Sequence, residues 1–168
     1  MIRRHPWWTA TIILLALLIG LSVTCANRQI VINTSDSMPH GLYVRATQPV
    51  DVGCIVDFVI PPRAQPYIQR RTGNPGTRWY LLKPLMAGPG DLVDATGNVL
   101  LINGKAVGAI ADRDGVGRPL PHWRECRRLG PDQFFAISTR VPNSFDSRYF
   151  GPIRRAQIAA VRRPLLTW

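Results

Sequence analysis

A chain of 168 residues has room for one domain with its own hydrophobic core and one short appendage, which excludes a second folded domain of ordinary size. Its net charge of +11 comes from 21 basic and 10 acidic residues. The basic pairs Arg70-Arg71, Arg127-Arg128, Arg154-Arg155 and Arg162-Arg163 are scattered without an interleaved aromatic platform, so nucleic acid is not the expected partner; anionic lipid headgroups or an acidic protein suit such a surface better.

Residues 1–6 form a basic stub with Arg3, Arg4 and His5. An apolar stretch over 7–26 follows, uncharged and opened by Trp7 and Trp8. About 20 such residues make roughly 30 Å of helix, the thickness of one bilayer core. Basic residues before the stretch and aromatics at its start predict a transmembrane signal-anchor with its N-terminus in the cytoplasm. The small-residue tripeptide Thr24-Cys25-Ala26 leaves a cleaved signal peptide as the alternative, and a lipoprotein signal at Cys25 is a poorer match. Residues 27–168 are then expected outside a bacterial inner membrane, as one periplasmic domain facing membrane lipid.

Beyond the anchor the chain reads as short strands and turns. Strands are predicted at Gln29–Asn33, Gly41–Arg45 and Asp51–Ile60, the last ended by Pro61-Pro62. A helix is predicted over Gln65–Arg71, inside a loop-like stretch from Pro61 to Thr77. Trp79 to Ala87 reads as a strand buried on both faces. In Val99–Val107, Asn103-Gly104 between apolar runs predicts a hairpin with a type I′ turn. Ala111–Pro121 is a loop, and Phe134–Ser138 and Ile158–Val161 are later strands. The pattern implies an all-β antiparallel barrel or sandwich. Cys54 and Cys126 lie in the exported part, where they either pair or stay as separate thiols. Their spacing fits no metal site, and no cofactor is expected.

Of the 21 basic residues, 19 are arginine; Lys83 and Lys105 are the two lysines. Arginine stays protonated, whereas a lysine desolvated among apolar groups can lose its proton near neutral pH and serve as a base. Lys83 sits between Trp79-Tyr80-Leu81-Leu82 and Leu85-Met86-Ala87, which suits that role, although a lysine reaching out from a sheet edge has the same local pattern. The candidate nucleophile is Ser37, in Ser35-Asp36-Ser37-Met38-Pro39. A serine needs a base to take its proton. His5 falls on the far side of the anchor, while His40 and His122 remain alternatives to Lys83.

Taken in order, three blocks resemble the signal peptidase I superfamily of membrane-anchored Ser–Lys peptidases. They are Ser35–Pro39, then Lys83 with Gly90-Asp91 ending eight residues later, then Asn143-Ser144-Phe145-Asp146-Ser147-Arg148-Tyr149-Phe150-Gly151. The resemblance implies Ser37 as nucleophile and Lys83 as general base. It implies the Ser37 N–H and the Ser35 hydroxyl as oxyanion donors, Ser144 as a group orienting the lysine amine, and Asp146 with Arg148 as a supporting ion pair. Pro39 directly after Met38, followed by His40-Gly41-Leu42-Tyr43, resembles the conjugative-transfer branch of TraF-type peptidases. That branch implies a pilin-like preprotein as substrate, with or without ring closure of the product, and conjugative or type IV secretion components as partners. A general signal peptidase and a catalytically silent, membrane-anchored assembly factor are the other readings.

Overall fold

The computed structural model describes residues 6–26, 29–74 and 78–168, with the side chains of the first helix described over 7–23. Residues 1–5 of the predicted stub therefore lie outside the described residues, as do the side chains of Thr24-Cys25-Ala26. The first helix, α1 (Pro6–Ala26), is apolar on every side, and its described side chains are all exposed. Its hydroxyls turn back onto its own backbone: Thr11 Oγ1 donates to the Trp7 carbonyl and Ser22 Oγ to the Leu18 carbonyl, each at 2.8 Å. Neither hydroxyl then needs water. Among the described residues, however, no helix is long and apolar enough to cross a membrane. The expected stretch over 7–26 is present as the helix α1.

The strands, in chain order, are β1 (Ile30–Asn33), β2 (Gly41–Ala46), β3 (Ile55–Val59), β4 (Tyr80–Ala87), β5 (Leu92–Asp94), β6 (Val99–Ile102), β7 (Lys105–Ala109), β8 (Cys126–Arg128), β9 (Gln133–Ala136), β10 (Ile153–Arg154) and β11 (Ile158–Thr167). A short helix, α2 (Gln65–Thr72), fills the predicted place and ends at Gly73 in the left-handed conformation. A single helical turn, α3 (Ser147–Phe150), lies in the late block.

Seven strands form one antiparallel sheet in the order β1-β2-β11-β3-β4-β9-β10, and four form a second in the order β7-β6-β5-β8. The large sheet ends at β1 and β10, so the expected barrel is not closed; the domain is two open sheets around one core. Phe58, Leu85, Phe134, Phe135, Phe150 and Ile153 are fully buried in that core. Two of the four strands of the small sheet escape sequence reading because β5 and β8 are three residues each, too short to show a period.

Where prediction and structure differ, turn chemistry explains it. Asp51-Val52-Gly53 form a turn, with Cys54 N–H donating to the Asp51 carbonyl at 3.1 Å and Gly53 at φ 88°, so β3 begins only at Ile55. The last strand outruns its predicted end at Val161 because a bulge between Pro164 and Leu166 absorbs the proline. The type I′ hairpin forms as expected, with Asn103 at φ 49° and Gly104 at φ 78°. Cys54 is buried, Cys126 is exposed, and both are free thiols.

The registers place the two key blocks. β1 pairs with β2 so that Asn33 faces Gly41, and the loop between them carries Ser37. β3 pairs with β4 so that Val56 faces Lys83. Gly41 also faces Thr167 of β11, and a Cβ at Gly41 would sit 2.1 Å from the Leu166 carbonyl oxygen. Gly41→Ala is therefore expected to destabilise the domain by about 3 kcal/mol or more, read as a fall in the urea midpoint in detergent. An unchanged midpoint would show that β11 gives way freely.

Candidate active site

The Ser37 loop is held from inside by Asn33, a residue that sequence reading passed over. Its buried amide Nδ2 donates to the carbonyls of Ser35, Met38 and Pro39 at 2.9, 3.1 and 3.1 Å. Its Oδ1 accepts from the Ser35 hydroxyl at 2.8 Å. Asparagine at a strand end commonly folds back on the next few backbone groups, which is the signal that was there to be read. On the other side the Tyr43 hydroxyl donates to the Pro39 carbonyl at 2.8 Å. Tyr43 packs with Met38 and Leu82 in a small apolar cluster. The Met-Pro-x-Gly-x-Tyr sequence is thus a clamp, in which Gly41 admits β11 and Tyr43 ties the loop down.

Lys83 lies at the middle of β4, buried to 3% exposure, and its Nζ donates a hydrogen bond to Ser37 Oγ. Burial is the main force on its titration and pushes it down to about 8, further helped by the positive charges of Arg148 and Arg71 and opposed by Asp146. The protonated amine thus gains little from this site, and the neutral amine becomes available at mildly alkaline pH. A neutral amine at hydrogen-bonding distance from a serine hydroxyl can take its proton. The histidines do not compete. His40 Nε2 is 3.0 Å from Asp36 Oδ1, and His122 Nε2 is 3.6 Å from Asp112 Oδ1, each near the surface. His5 lies outside the described residues.

The other predicted site residues divide. Ser35 Oγ comes 3.2 Å from Ser37 Oγ, but its proton goes to Asn33, so an oxyanion role requires the hydroxyl to rotate. Ser144 is buried beside the pair, yet its Oγ has no hydrogen-bond partner. The expected contact of Ser144 with the Lys83 amine is not formed. Asp146 and Arg148 form the expected ion pair, bidentate at 2.9 Å for both bonds and almost fully buried. Asp91 caps its own turn and accepts from Asn103 Nδ2 at 2.8 Å, so the Gly-Asp of the middle block is structural.

Ser138 supplies a link that no local pattern announced. Its hydroxyl donates to the Ser37 carbonyl, 101 residues away in the chain. Its N–H donates to Asp146 Oδ2 at 3.2 Å, and its carbonyl accepts from Arg148 Nη2 at 3.3 Å. The buried ion pair therefore reaches the Ser37 backbone through one serine.

A cavity of about 170 Å³ opens over Ser37, Lys83 and Ser144. It continues into a cleft of about 430 Å³ between β1 and β4, walled by Val31, Ile32, Trp79 and Leu81 and floored by Ile60 and Ile68. One wall belongs to the free edge strand β1, whose backbone can pair with an extended chain.

A serine hydroxyl against a desolvated amine, at the end of an apolar cleft beside a free strand edge, is an arrangement suited to attack on an extended peptide. The sequence pattern of the signal peptidase family, peptidase S26, matches residues 3–166, and the chain belongs to that family. It is 35% identical over 147 residues to the plasmid transfer protein TraF of Escherichia coli, covering 82% of each chain. It is 32% identical over 148 residues to a probable conjugal transfer protein TraF of Sinorhizobium fredii, covering 82% of this chain and 77% of the relative. The resemblance to the TraF-type branch is borne out by these relatives. Among solved structures, a signal peptidase I from Enterococcus faecalis aligns with a TM-score of 0.40 at 16% identity, over 69% of this chain and 98% of the other.

Proposed function

We propose that the protein is a membrane-anchored serine endopeptidase that processes a pilin-like preprotein for conjugative transfer, with Ser37 as nucleophile and Lys83 as general base. The observation that carries this reading is the buried Lys83 amine bonded to Ser37 Oγ. The relatives named for plasmid and conjugal transfer support the conjugative setting. The uncharged helix α1, with Arg3 and Arg4 ahead of it, anchors the chain in the inner membrane with the N-terminus in the cytoplasm and residues 27–168 in the periplasm. Membrane lipid and components of a conjugative or type IV secretion apparatus are then its neighbours.

In this mechanism an extended segment of the preprotein pairs with β1 and brings its scissile carbonyl to Ser37. Lys83 takes the hydroxyl proton as Ser37 Oγ bonds to the carbonyl carbon. The Ser37 N–H and the rotated Ser35 hydroxyl hold the oxyanion; removing one such donor lowers the rate by roughly 10²–10³-fold. Lys83 passes its proton to the departing amine, and an ester to Ser37 remains. Water, or an amine of the substrate itself with ring closure, attacks that ester by the same proton route. Ser138, Asp146 and Arg148 hold the loop in place and touch no reacting atom.

Because the base must be neutral, kcat/KM is expected to rise with pH and to level off above about 8, following the lowered titration of Lys83. A flat profile from pH 6.5 to 9.5, in steps measured with one peptide substrate, would remove Lys83 as the base. The reading as a whole is tested by co-expressing the chain with a pilin precursor from the same genetic neighbourhood and weighing the product. Cleavage lost in Ser37→Ala and Lys83→Ala supports the pair, and a product lighter by one water indicates ring closure. An uncut pilin beside a cut ordinary signal peptide makes the protein a general signal peptidase. Unchanged transfer function in Ser37→Ala makes it a silent assembly factor.

A further inference from the structure

We propose that Arg71 is a specificity-determining residue that selects a substrate carboxylate close to the scissile bond. The proposal rests on Ser37 and Lys83 being the catalytic pair. Arg71 is exposed in the last turn of α2, and it lines both the β1–β4 cleft and the smaller cavity over Ser37 and Lys83. It therefore stands where an apolar peptide track opens onto the reacting atoms. Its charge is felt at the Lys83 amine, which it helps to depress.

The acids around the cleft are already engaged. Asp57 is held by Arg162 through two bonds of 2.8 and 3.1 Å. Asp36 is paired with His40 at 3.0 Å, and Asp146 with Arg148. Asp114, which shares a neighbouring cavity with Arg71, is taken by Arg118 at 2.7 Å and by the Tyr67 hydroxyl at 3.0 Å. Among the described residues Arg71 forms no ion pair, and it is the arginine that lines both the cleft and the smaller cavity. Val31, Ile32, Trp79 and Leu81 give the cleft apolar walls, so a guanidinium at this junction has an aliphatic stem to pack and an uncommitted fork of donors for a carboxylate. A peptide with Asp or Glu within a few residues of the cut supplies that carboxylate. So does a free C-terminus a few residues beyond the cut.

The charge also acts on the base, so activity alone does not separate the two effects; a ratio does. Synthetic peptides spanning the mapped cut are prepared with Ala, Asp or Lys at each position in turn, with the C-terminus free or amidated. Their kcat/KM values are measured with the full chain in detergent and with Arg71→Glu and Arg70→Glu. Arg70 adjoins Arg71 in the chain but lines neither the cleft nor the cavity, so Arg70→Glu changes net charge equally without touching the junction.

The wild-type chain is expected to favour Asp over Ala at one position, or the free over the amidated terminus, by about tenfold, the usual reach of a partly screened charge contact. Arg71→Glu removes that preference and favours Lys at the same position, whereas Arg70→Glu keeps it. Preference for a side-chain carboxylate appears at one internal position, and preference for a terminal one appears only in the free-against-amidated comparison. Equal ratios in the wild type and Arg71→Glu, or an equal loss in Arg70→Glu, overturn the proposal while leaving the catalytic pair standing. Peptides and pilin precursor both left uncut by the wild type would instead overturn the catalytic reading, and this proposal with it.

Discussion

Lys83→Met is expected to abolish processing and, at neutral pH, to make the fold more stable. A lysine titrating at about 8 when folded, against 10.5 for the free side chain, has lost affinity for its proton to burial. That difference, 10.5 minus 8, corresponds to roughly 3 kcal/mol. The sign follows from proton counting. Below pH 8 the lysine is charged in both states, and the folded state carries the whole penalty. Between about 8 and 10.5 the unfolded chain binds the extra proton, so stability of the native chain rises with pH. Above that range the penalty is gone. Methionine has nearly the same length and no charge, so it fills the site without the penalty while losing a hydrogen bond worth about 1 kcal/mol. A net gain of roughly 2 kcal/mol at pH 7, turning into a loss of about 1 kcal/mol above pH 10.5, is the expected result of urea denaturation across that pH range. Loss of the base lowers kcat/KM by about 10²–10⁴-fold or more. Lys83→Arg is inactive too, because a guanidinium does not deprotonate. Lys105→Arg, at an exposed position on β7, leaves activity unchanged. An active Lys83→Arg enzyme, or a Lys83→Met chain less stable at pH 7 than the parent, would contradict the neutral-lysine account.

Arg148→Ala has the opposite signature, a large loss of stability. Asp146 is fully buried, and its carboxylate has Arg148 as its charged partner. Arg148 also donates to the carbonyls of Ala109, Pro142, Ser138 and Ser144 at 3.0, 3.4, 3.3 and 3.1 Å. It therefore ties β7 of the small sheet to the Ser37–Lys83 region. Removing one partner of a buried pair leaves an uncompensated charge, and a loss of about 3–5 kcal/mol is expected. The double variant Asp146→Leu, Arg148→Met removes both charges and should recover much of it. Activity should fall with Arg148→Ala at temperatures where the protein is still folded, since Ser138 then loses the pair that positions it against the Ser37 carbonyl. A double variant no more stable than Arg148→Ala would show that the carbonyl bonds, not the charge, dominate.

The parts legible in the sequence were those set by neighbours in the chain. Asn103-Gly104 could only make a tight turn of one hand, because two successive positive φ angles favour those residues. Pro66 near the start of α2 and Gly73 just past its end bounded a helix that its weak apolar pattern barely indicated. The Asp146–Arg148 pair was expected from the resemblance of the late block, and it forms at the turn of α3, where Asp146 also caps the helix by accepting from the Arg148 N–H at 3.2 Å. What was not legible involved distance or shortness. β5, β8 and β10 are two or three residues long and exist only through pairing, β5 with β6 and β8, and β10 with β9. Whether Ser144 meets the Lys83 amine depends on rotamers of residues far along the chain, which local pattern does not encode.

The amino-acid sequence determined on its own that a buried-capable lysine, a serine in a proline-stiffened loop and an arginine–aspartate turn occur in a fixed order behind an apolar helix. These are properties of residue type and spacing. Only the tertiary structure decided that Lys83 rather than His40 or His122 meets Ser37, that Ser138 clamps the Ser37 carbonyl, and that Arg71 overlooks the cleft. It also decided that the large sheet stays open at β1. Each of these depends on which groups are stripped of water together, and desolvation is a property of packing between strands remote in sequence, which local pattern does not encode.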